Sequence, residues 1–146
     1  MSSLEIALRL GLAALVGAAL GLNRELHGKP TGVRTLGLVG LGSALAVMAA
    51  AATGDVAAPS RVMQGIVTGI GFLGAGVILR PAGRGHVHGL TTAACTWLTA
   101  AFGIACAVSE WRFVLIGVAL AFAVLVLGGP LEKLLQRFWG DEAPGP

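Results

Sequence analysis

The residues best suited to chemistry are concentrated in one polar segment, residues 23–34, which lies between two apolar stretches. It combines three fixed cations, one carboxylate and two glycines that let the backbone turn. Its candidate site residues are Asn23, Arg24, Glu25, Lys29, Arg34 and Thr35. Such a segment could bind an anionic lipid headgroup, a phosphate or a loop of a partner protein. Alternatively, its charges only set the orientation of the chain in a membrane.

A second set of polar side chains lies within or beside apolar segments. Its members are Gln64, Thr68, Thr91, Thr92 and Trp97. Polar groups in hydrocarbon are costly unless they find partners on neighbouring helices. We therefore expect these groups either to join helices or to line a polar cavity. Trp97, in the middle of its segment, is predicted to pack in the core rather than to touch a ligand.

The sequence offers little for catalysis or metal binding. His86 and His88 have no Cys, Asp or Glu nearby, so they make an incomplete metal site. No nucleophile has a plausible base in the same layer, which predicts a protein that is not an enzyme. Cys95 and Cys106 would lie roughly 16 Å apart along one helix, too far to bridge, and are predicted to be packing residues. We predict no cofactor, with Mg²⁺ as the one candidate ligand.

Composition places these residues in a membrane protein. The 146 residues are 55% hydrophobic and only 12% charged, against about 25% charged in an ordinary soluble domain. The mean hydropathy is +0.85. The net charge of +3 comes from residues at the ends of apolar segments, which argues against nucleic acid binding. Membrane spans are predicted at residues 4–22, 35–52, 61–80, 90–108 and 113–128.

Helix packing is predicted from the spacing of small residues. In the first span, Ala13, Gly17 and Gly21 recur every four residues along one face. In the third span, the glycines fall on two faces that neighbouring helices could approach closely. The predicted packing residues there are Gly65, Gly69, Gly71, Gly74 and Gly76. The pattern Gly-x-Gly-x-x-Gly within this set is not a dinucleotide site, since no strand precedes it and no acidic residue follows at the required distance.

The whole chain is predicted to be all-α, with about five transmembrane helices in residues 1–128. Residues 129–146 are expected to form a short interfacial amphipathic helix and a disordered tail. Near the start, Glu5 and Arg9 are spaced to pair at the membrane interface. Placing loops 23–34 and 80–89 and the C-terminus in the cytoplasm puts seven Lys or Arg there and three outside. The N-terminus is therefore predicted to be external.

Four motifs in order resemble the MgtC/SapB family of bacterial inner-membrane proteins. They are Gly21-x-Asn23-Arg24-Glu25, then Lys29-Pro30-Thr31-Gly32-Val33-Arg34-Thr35, then Gly69-Ile70-Gly71-Phe72-Leu73-Gly74-Ala75-Gly76, and Gly89-Leu90-Thr91-Thr92-Ala93-Ala94 followed by Trp97. The resemblance implies a regulatory membrane protein in adaptation to low magnesium, acid stress or survival in host phagocytes, hence virulence. It also implies, for some members, inhibition of the F-type ATP synthase.

The chain departs from the family pattern in three respects. Asn23 stands where a Glu is usual, and His88 where a basic residue is usual. We also expect no counterpart of the cytoplasmic C-terminal domain of longer members. Two functions remain open: a non-enzymatic regulator that packs against membrane subunits, including its own copies in a homo-oligomer, or an oligomeric Mg²⁺-type cation channel. Both imply contact with membrane lipid.

Overall fold

A computed structural model describes residues 1–78, 88–109 and 111–139 of the chain. The described residues form five α-helices and no β-strand. The helices are α1 (Ser3–Leu26), α2 (Val33–Ala51), α3 (Ala58–Gly76), α4 (Leu90–Val108) and α5 (Trp111–Trp139). The all-α membrane fold predicted from composition is confirmed.

Four of the five described helices, α1, α2, α4 and α5, are long and apolar enough to cross a membrane. Helix α3 is not among them. It begins at Ala58, so its first turns contain Pro59, Ser60 and Arg61, and it ends at Gly76 rather than near residue 80. The third span is therefore shorter and more polar than predicted.

Close backbone contact between glycines and neighbouring helices joins α1, α2 and α4. A Cβ added at Gly17 would overlap the carbonyl of Leu36, and one at Gly103 would overlap the carbonyl of Gly40. Gly21 approaches the backbone of Gly32 in the same way. The predicted small-residue stripe of α1 is confirmed, and Ala13 on that stripe is only 1% exposed. Helix α3 contacts α4 and α2.

The turn between α2 and α3 is closed by one carboxylate. Asp55 Oδ1 accepts a hydrogen bond of 2.8 Å from the Ala57 backbone N–H, and its Oδ2 lies 2.5 Å from Arg61 Nη2. Both bonds lower the pKa of Asp55 below its usual value, and the bond from the Ala57 backbone has the larger effect. The exposed Asp55 carboxylate thus holds the turn that leads into α3.

Residues Met1–Val114 form one compact unit, and a second unit begins at Leu115. The described residues of the second unit are the remainder of α5, a continuous helix that passes through Pro130 to Trp139. The separate amphipathic helix predicted after Gly129 and Pro130 is instead the last part of this helix. Proline inside a membrane helix is tolerated where neighbouring groups satisfy the freed carbonyl. The predicted disordered tail, residues 140–146, lies outside the described residues.

Candidate functional site

The candidate site is built around Arg24, in the last turn of α1. Its side chain is buried, with 6% of the residue exposed. Arg24 Nη2 donates a hydrogen bond of 2.6 Å to Thr92 Oγ1 in the first turn of α4. Its Nε–H is shielded from solvent and has no acceptor among the described residues. The guanidinium has five N–H donors, so most of its hydrogen-bonding capacity is not used by the described residues.

The chain reverses direction directly after Arg24, which brings the following loop over the arginine. The N–H of Lys29 donates to the carbonyl of Arg24 at 3.0 Å, and the N–H of Gly28 to that of Glu25 at 3.0 Å. Gly28 takes a φ of +62°, a left-handed conformation that glycine adopts at little cost. Lys29 and Pro30 are thereby placed beside the end of α1.

Glu25 does not neutralise Arg24. Its Oε2 accepts a 3.3 Å hydrogen bond from the Val33 N–H, at the start of α2. Gly32, the N-cap of α2, has no side chain to cap that helix, so Glu25 takes this role from the neighbouring helix. The two ion pairs found among the described residues, Arg9 with Glu5 and Arg61 with Asp55, do not involve Arg24.

A cavity of about 470 Å³ lies beside Arg24. It is lined by Arg24, Gly28, Lys29, Pro30, Val77, His88, Gly89, Leu90, Thr91 and Thr92. Gly89 has a φ of +94°, and a Cβ at this position would overlap the carbonyl of Val77. The end of α3 and the start of α4 are thus joined by backbone contact at the cavity wall. We call this space the Arg24 cavity.

The predicted polar segment is divided between two places. Arg24 and Lys29 line the Arg24 cavity, whereas Arg34 and Thr35 are exposed on α2 and line a groove between α2 and α3. Asn23 is half-buried, and its carbonyl lies 2.7 Å from the His27 ring Nδ1. The six candidate residues of this segment, although close together in sequence, therefore do not form one site.

The polar residues predicted inside the membrane also separate. Thr92 is 1% exposed and bonded to Arg24, and Thr91 is exposed at the cavity. Gln64 and Thr68 are exposed on α3 and have no hydrogen-bond partner recorded in the described part of the chain. Trp97 is 46% exposed and so lies outside the core of this chain, where it was predicted to pack.

The α3 glycines differ in their surroundings. A Cβ at Gly74 would lie 3.6 Å from the Cβ of Ala93 on α4, an ordinary packing distance. At Gly65, Gly69, Gly71 and Gly76 it would meet no described atom within 4 Å. Close packing through these four is thus absent within the described chain, and their packing against another chain stays a prediction.

Arg9 has a role that sequence reasoning missed. The predicted pair of Glu5 and Arg9 is present at 3.2 Å. Arg9 Nη1 also donates to the carbonyls of Cys106 and Ala107, both at 3.1 Å, and of Ser109 at 3.3 Å. It therefore binds the C-terminal end of α4, where a cation is favourable. The only sequence signal for this contact was an arginine within an apolar span. The only sequence signal for the contact with Arg24 was a threonine, Thr92, at the start of another span.

The groups considered for metal or thiol chemistry are placed as follows. His88 is exposed at the Arg24 cavity, and His86 lies outside the described residues. Among the described residues, no three His, Cys, Asp or Glu side chains are grouped to hold a metal. Cys95 and Cys106 are buried free thiols, in agreement with their predicted packing role.

These features define a helical membrane protein of several spans with a buried arginine between its first and fourth helices. The family model for the MgtC family matches residues 10–134. The chain therefore belongs to the MgtC family, as its motifs predict.

Curated relatives agree with this assignment. The chain is 48% identical to protein SrpB of Synechococcus elongatus, over 92% of this chain and 78% of that protein. It is 38% identical to YhiD of Escherichia coli strain K12, which carries a provisional name as a magnesium transporter, over 83% of this chain and 59% of YhiD. It is 36% identical to protein MgtC of Brucella abortus, over 85% of this chain and 51% of that protein.

The chain thus spans little more than half the length of YhiD and MgtC. No solved structure matches the chain significantly.

Proposed function

We propose that this protein is a non-enzymatic regulator of the bacterial inner membrane, which acts by binding a transmembrane helix of another membrane protein. The observation that carries the proposal is the groove between α2 and α3, with a volume of about 670 Å³. It is lined by Arg34, Thr35, Leu38, Val39, Gly42, Ser43, Ile66, Ile70 and Leu73. We call it the α2–α3 groove.

The shape of α3 suits a helical partner. Ile66, Ile70 and Leu73 recur at helical spacing and face α2 across the groove. Gly65, Gly69 and Gly76 lie to one side of this row, at 60° to 100° from Ile66 on a helical projection, and a Cβ there would meet open space in the described chain. Membrane helices associate through small residues of this kind, because they allow close backbone approach.

The polar residues of α3 supply a second reason for a protein partner. Gln64 and Thr68 lie on the side of α3 away from Ile66, and both are exposed. An uncovered amide in hydrocarbon is costly. Helix α3 is also the one described helix that is not apolar enough to span a membrane by itself. A helix in the α2–α3 groove would shield α3 from lipid on the Ile66 side, and a second helix of the same partner would cover Gln64 and Thr68 on the other side.

The proposed physiological role is supported by the family. The names of MgtC and YhiD connect relatives with magnesium, and the family resemblance points to survival under low magnesium or acid stress. The F-type ATP synthase is the partner that the resemblance suggests, and its membrane subunits consist of helices that could enter the α2–α3 groove. Regulation is favoured over transport because the sequence between Asp55 and Glu110 contains no Asp or Glu to bind a desolvated cation.

The second candidate is an oligomeric cation channel. The exposure of Gln64 and Thr68 on α3 favours it, because several copies could turn these groups toward a shared polar path. Magnesium flux into liposomes that contain the purified protein, abolished in Gln64→Leu, would support this candidate and contradict the regulatory proposal. We expect no flux above that of empty liposomes.

The regulatory proposal is tested by filling the groove edge. Gly69→Leu adds a large side chain where no described atom lies within 4 Å, so the variant should fold with unchanged thermal stability. It should fail to restore growth in low magnesium to a strain that lacks its own family member. It should likewise no longer reduce ATP-driven proton pumping in membrane vesicles, since the added bulk keeps a partner helix away.

Val67→Leu is the matched control, because it enlarges an exposed residue on the other side of the Ile66 row. It should retain both activities. If Gly69→Leu also retains both at normal protein level, the α2–α3 groove is not the binding surface.

A further inference from the structure

The Arg24 cavity contains a buried cation that forms no ion pair with any acidic side chain in the part of the chain that the structure describes. A buried charge normally has a partner of opposite sign, since removing it from water is costly. The only acidic side chain adjacent in sequence, Glu25, is bonded to the backbone of α2 instead. Along the sequence, no acidic residue occurs from residue 56 to 109, the stretch that includes α3, α4 and their connection.

The position of Arg24 at the start of α4 makes an unpaired positive charge there still less favourable. Its guanidinium contacts Thr92, the third residue of α4, and so lies at the positive end of the α4 helix dipole. Cations are favourable at the C-terminus of a helix and unfavourable at the N-terminus. Arg9 follows this rule at the other end of α4, where it binds the last carbonyls. Arg24 contradicts it, unless an anion lies between the arginine and the helix.

The start of α4 supplies further donors to the same space. Gly89 is its N-cap and offers no side-chain acceptor. The first intrahelical backbone bond runs from Ala93 N–H to the Gly89 carbonyl, at 2.8 Å. The N–H groups of Leu90, Thr91 and Thr92 precede that bond and have no acceptor recorded among the described residues. Because the Thr92 hydroxyl oxygen accepts from Arg24, its proton is free to be donated.

We propose that the Arg24 cavity binds a phosphate group, held by the Arg24 guanidinium, the backbone N–H groups at the start of α4 and the side chain of Lys29. A phosphate offers several acceptor oxygens to this converging set of donors, and helix N-termini bind phosphate by the same means. The volume of about 470 Å³ admits a phosphate ester as well as the free ion. Two sources share this chemistry: the headgroup of an anionic phospholipid and inorganic phosphate.

The site is independent of the α2–α3 groove, because the lining residues of the two do not overlap. Loss of phosphate binding would therefore leave the proposed helix-binding function untouched. If Gly69→Leu does not affect activity, the helix-binding proposal is wrong but the phosphate-site proposal still stands.

The test uses the full chain in a neutral detergent. Thermal unfolding is monitored by tryptophan fluorescence. One series adds sodium phosphate, with sodium chloride at equal ionic strength as reference. The other adds phosphatidylglycerol, with phosphatidylcholine as reference. We expect one of the two phosphate compounds to raise the unfolding temperature above its reference in a saturable manner.

The variant Arg24→Gln should weaken that binding by about tenfold or more, because it removes the buried charge and the forked donors. Lys29→Gln should weaken it by a few-fold without affecting the fold, since Lys29 is exposed and has no side-chain bond recorded in the described part of the chain. Lys29→Gln therefore keeps the proposal testable if Arg24→Gln does not fold. Arg34→Gln removes an equal charge from α2, outside the cavity, and should bind like the native chain.

The outcomes separate the sources. Stabilisation by inorganic phosphate identifies a soluble ligand, and stabilisation by phosphatidylglycerol alone identifies a lipid headgroup. Stabilisation by neither overturns the proposal. Equal binding by the native chain, Arg24→Gln and Lys29→Gln also overturns it, since the anion would then bind elsewhere.

Discussion

At the scale of single residues, the three buried threonines of α4 have two different functions although they are equally buried. Thr92 and Thr96 are each 1% exposed, and Thr99 is 0% exposed. Thr96 and Thr99 donate their hydroxyls to carbonyls of their own helix, at 2.9 and 2.7 Å. Thr92 instead accepts from Arg24 of another helix. Only Thr92 contributes a bond that joins two helices through a charged group.

This difference predicts unequal effects of the same substitution. Thr92→Val keeps the shape but removes the one acceptor that Arg24 has among the described residues, and should lower the free energy of unfolding by about 1.5–3 kcal/mol. Thr96→Val removes a bond within α4 and should lower it by less than about 1 kcal/mol. Denaturant titration of the purified variants, without added phosphate, measures both. Equal losses would show that the bond between Arg24 and Thr92 contributes no more than a local one.

Sequence reasoning identified Arg24 and Thr92 separately but not as partners. They are 68 positions apart, and periodicity indicates which face of a helix is buried, not which helix lies against it. It therefore assigned Arg24 to a site with Arg34, its neighbour in sequence. The structure places Arg34 on the α2–α3 groove because α2 begins immediately before it, at Val33.

At the scale of helices, glycines in similar spacing serve two kinds of surface. Gly17, Gly21, Gly40 and Gly103 contact the backbone of neighbouring elements, whereas Gly65 and Gly69 face open space. Spacing alone predicted close packing for Gly17 and Gly21 and equally for Gly65 and Gly69, since a stripe of small residues permits close approach but does not select a partner. It did not single out Gly40 or Gly103. The contact pattern therefore shows which set stabilises the chain itself.

Two alanine variants test this distinction. Gly17→Ala places a methyl group against the backbone of Leu36 and Gly37, which cannot rotate away as a side chain could. We expect a loss of about 1–3 kcal/mol in the free energy of unfolding. Gly65→Ala meets no described atom within 4 Å and should leave stability unchanged, or raise it by up to about 1 kcal/mol through better helix propensity. The opposite order would show that α3, not α1, carries the stabilising contact.

At the scale of the whole molecule, the ends of the first four helices sort into two groups. The end of α1, the start of α2, the end of α3 and the start of α4 come together around Arg24, Gly32 and Gly89. This end carries Arg24, Lys29 and Arg34, so the excess of Lys and Arg predicts that it faces the cytoplasm. The turn that contains Asp55 belongs to the opposite end, between α2 and α3.

Reporter fusions test this orientation. A cysteine placed at Gly54 should react with a membrane-impermeant reagent in intact cells, because Gly54 is exposed in the α2–α3 turn. A fluorescent protein fused after Pro146 should fluoresce, which requires that the C-terminus lies in the cytoplasm. Labelling at Gly54 only after the cells are opened would reverse the predicted topology.

The two arginines of α1 have a joint mechanical consequence. Arg9 binds the carbonyls at the end of α4, and Arg24 binds Thr92 at its start. Fifteen residues separate Arg9 from Arg24, about 22 Å of helix, and the same number separates Thr92 from Ala107. A piston movement of α1 past α4 by one turn, about 5.4 Å, would break both attachments at once. A movement that keeps both attachments is therefore a tilt or rotation of α1 and α4 together, not a sliding of one helix along the other.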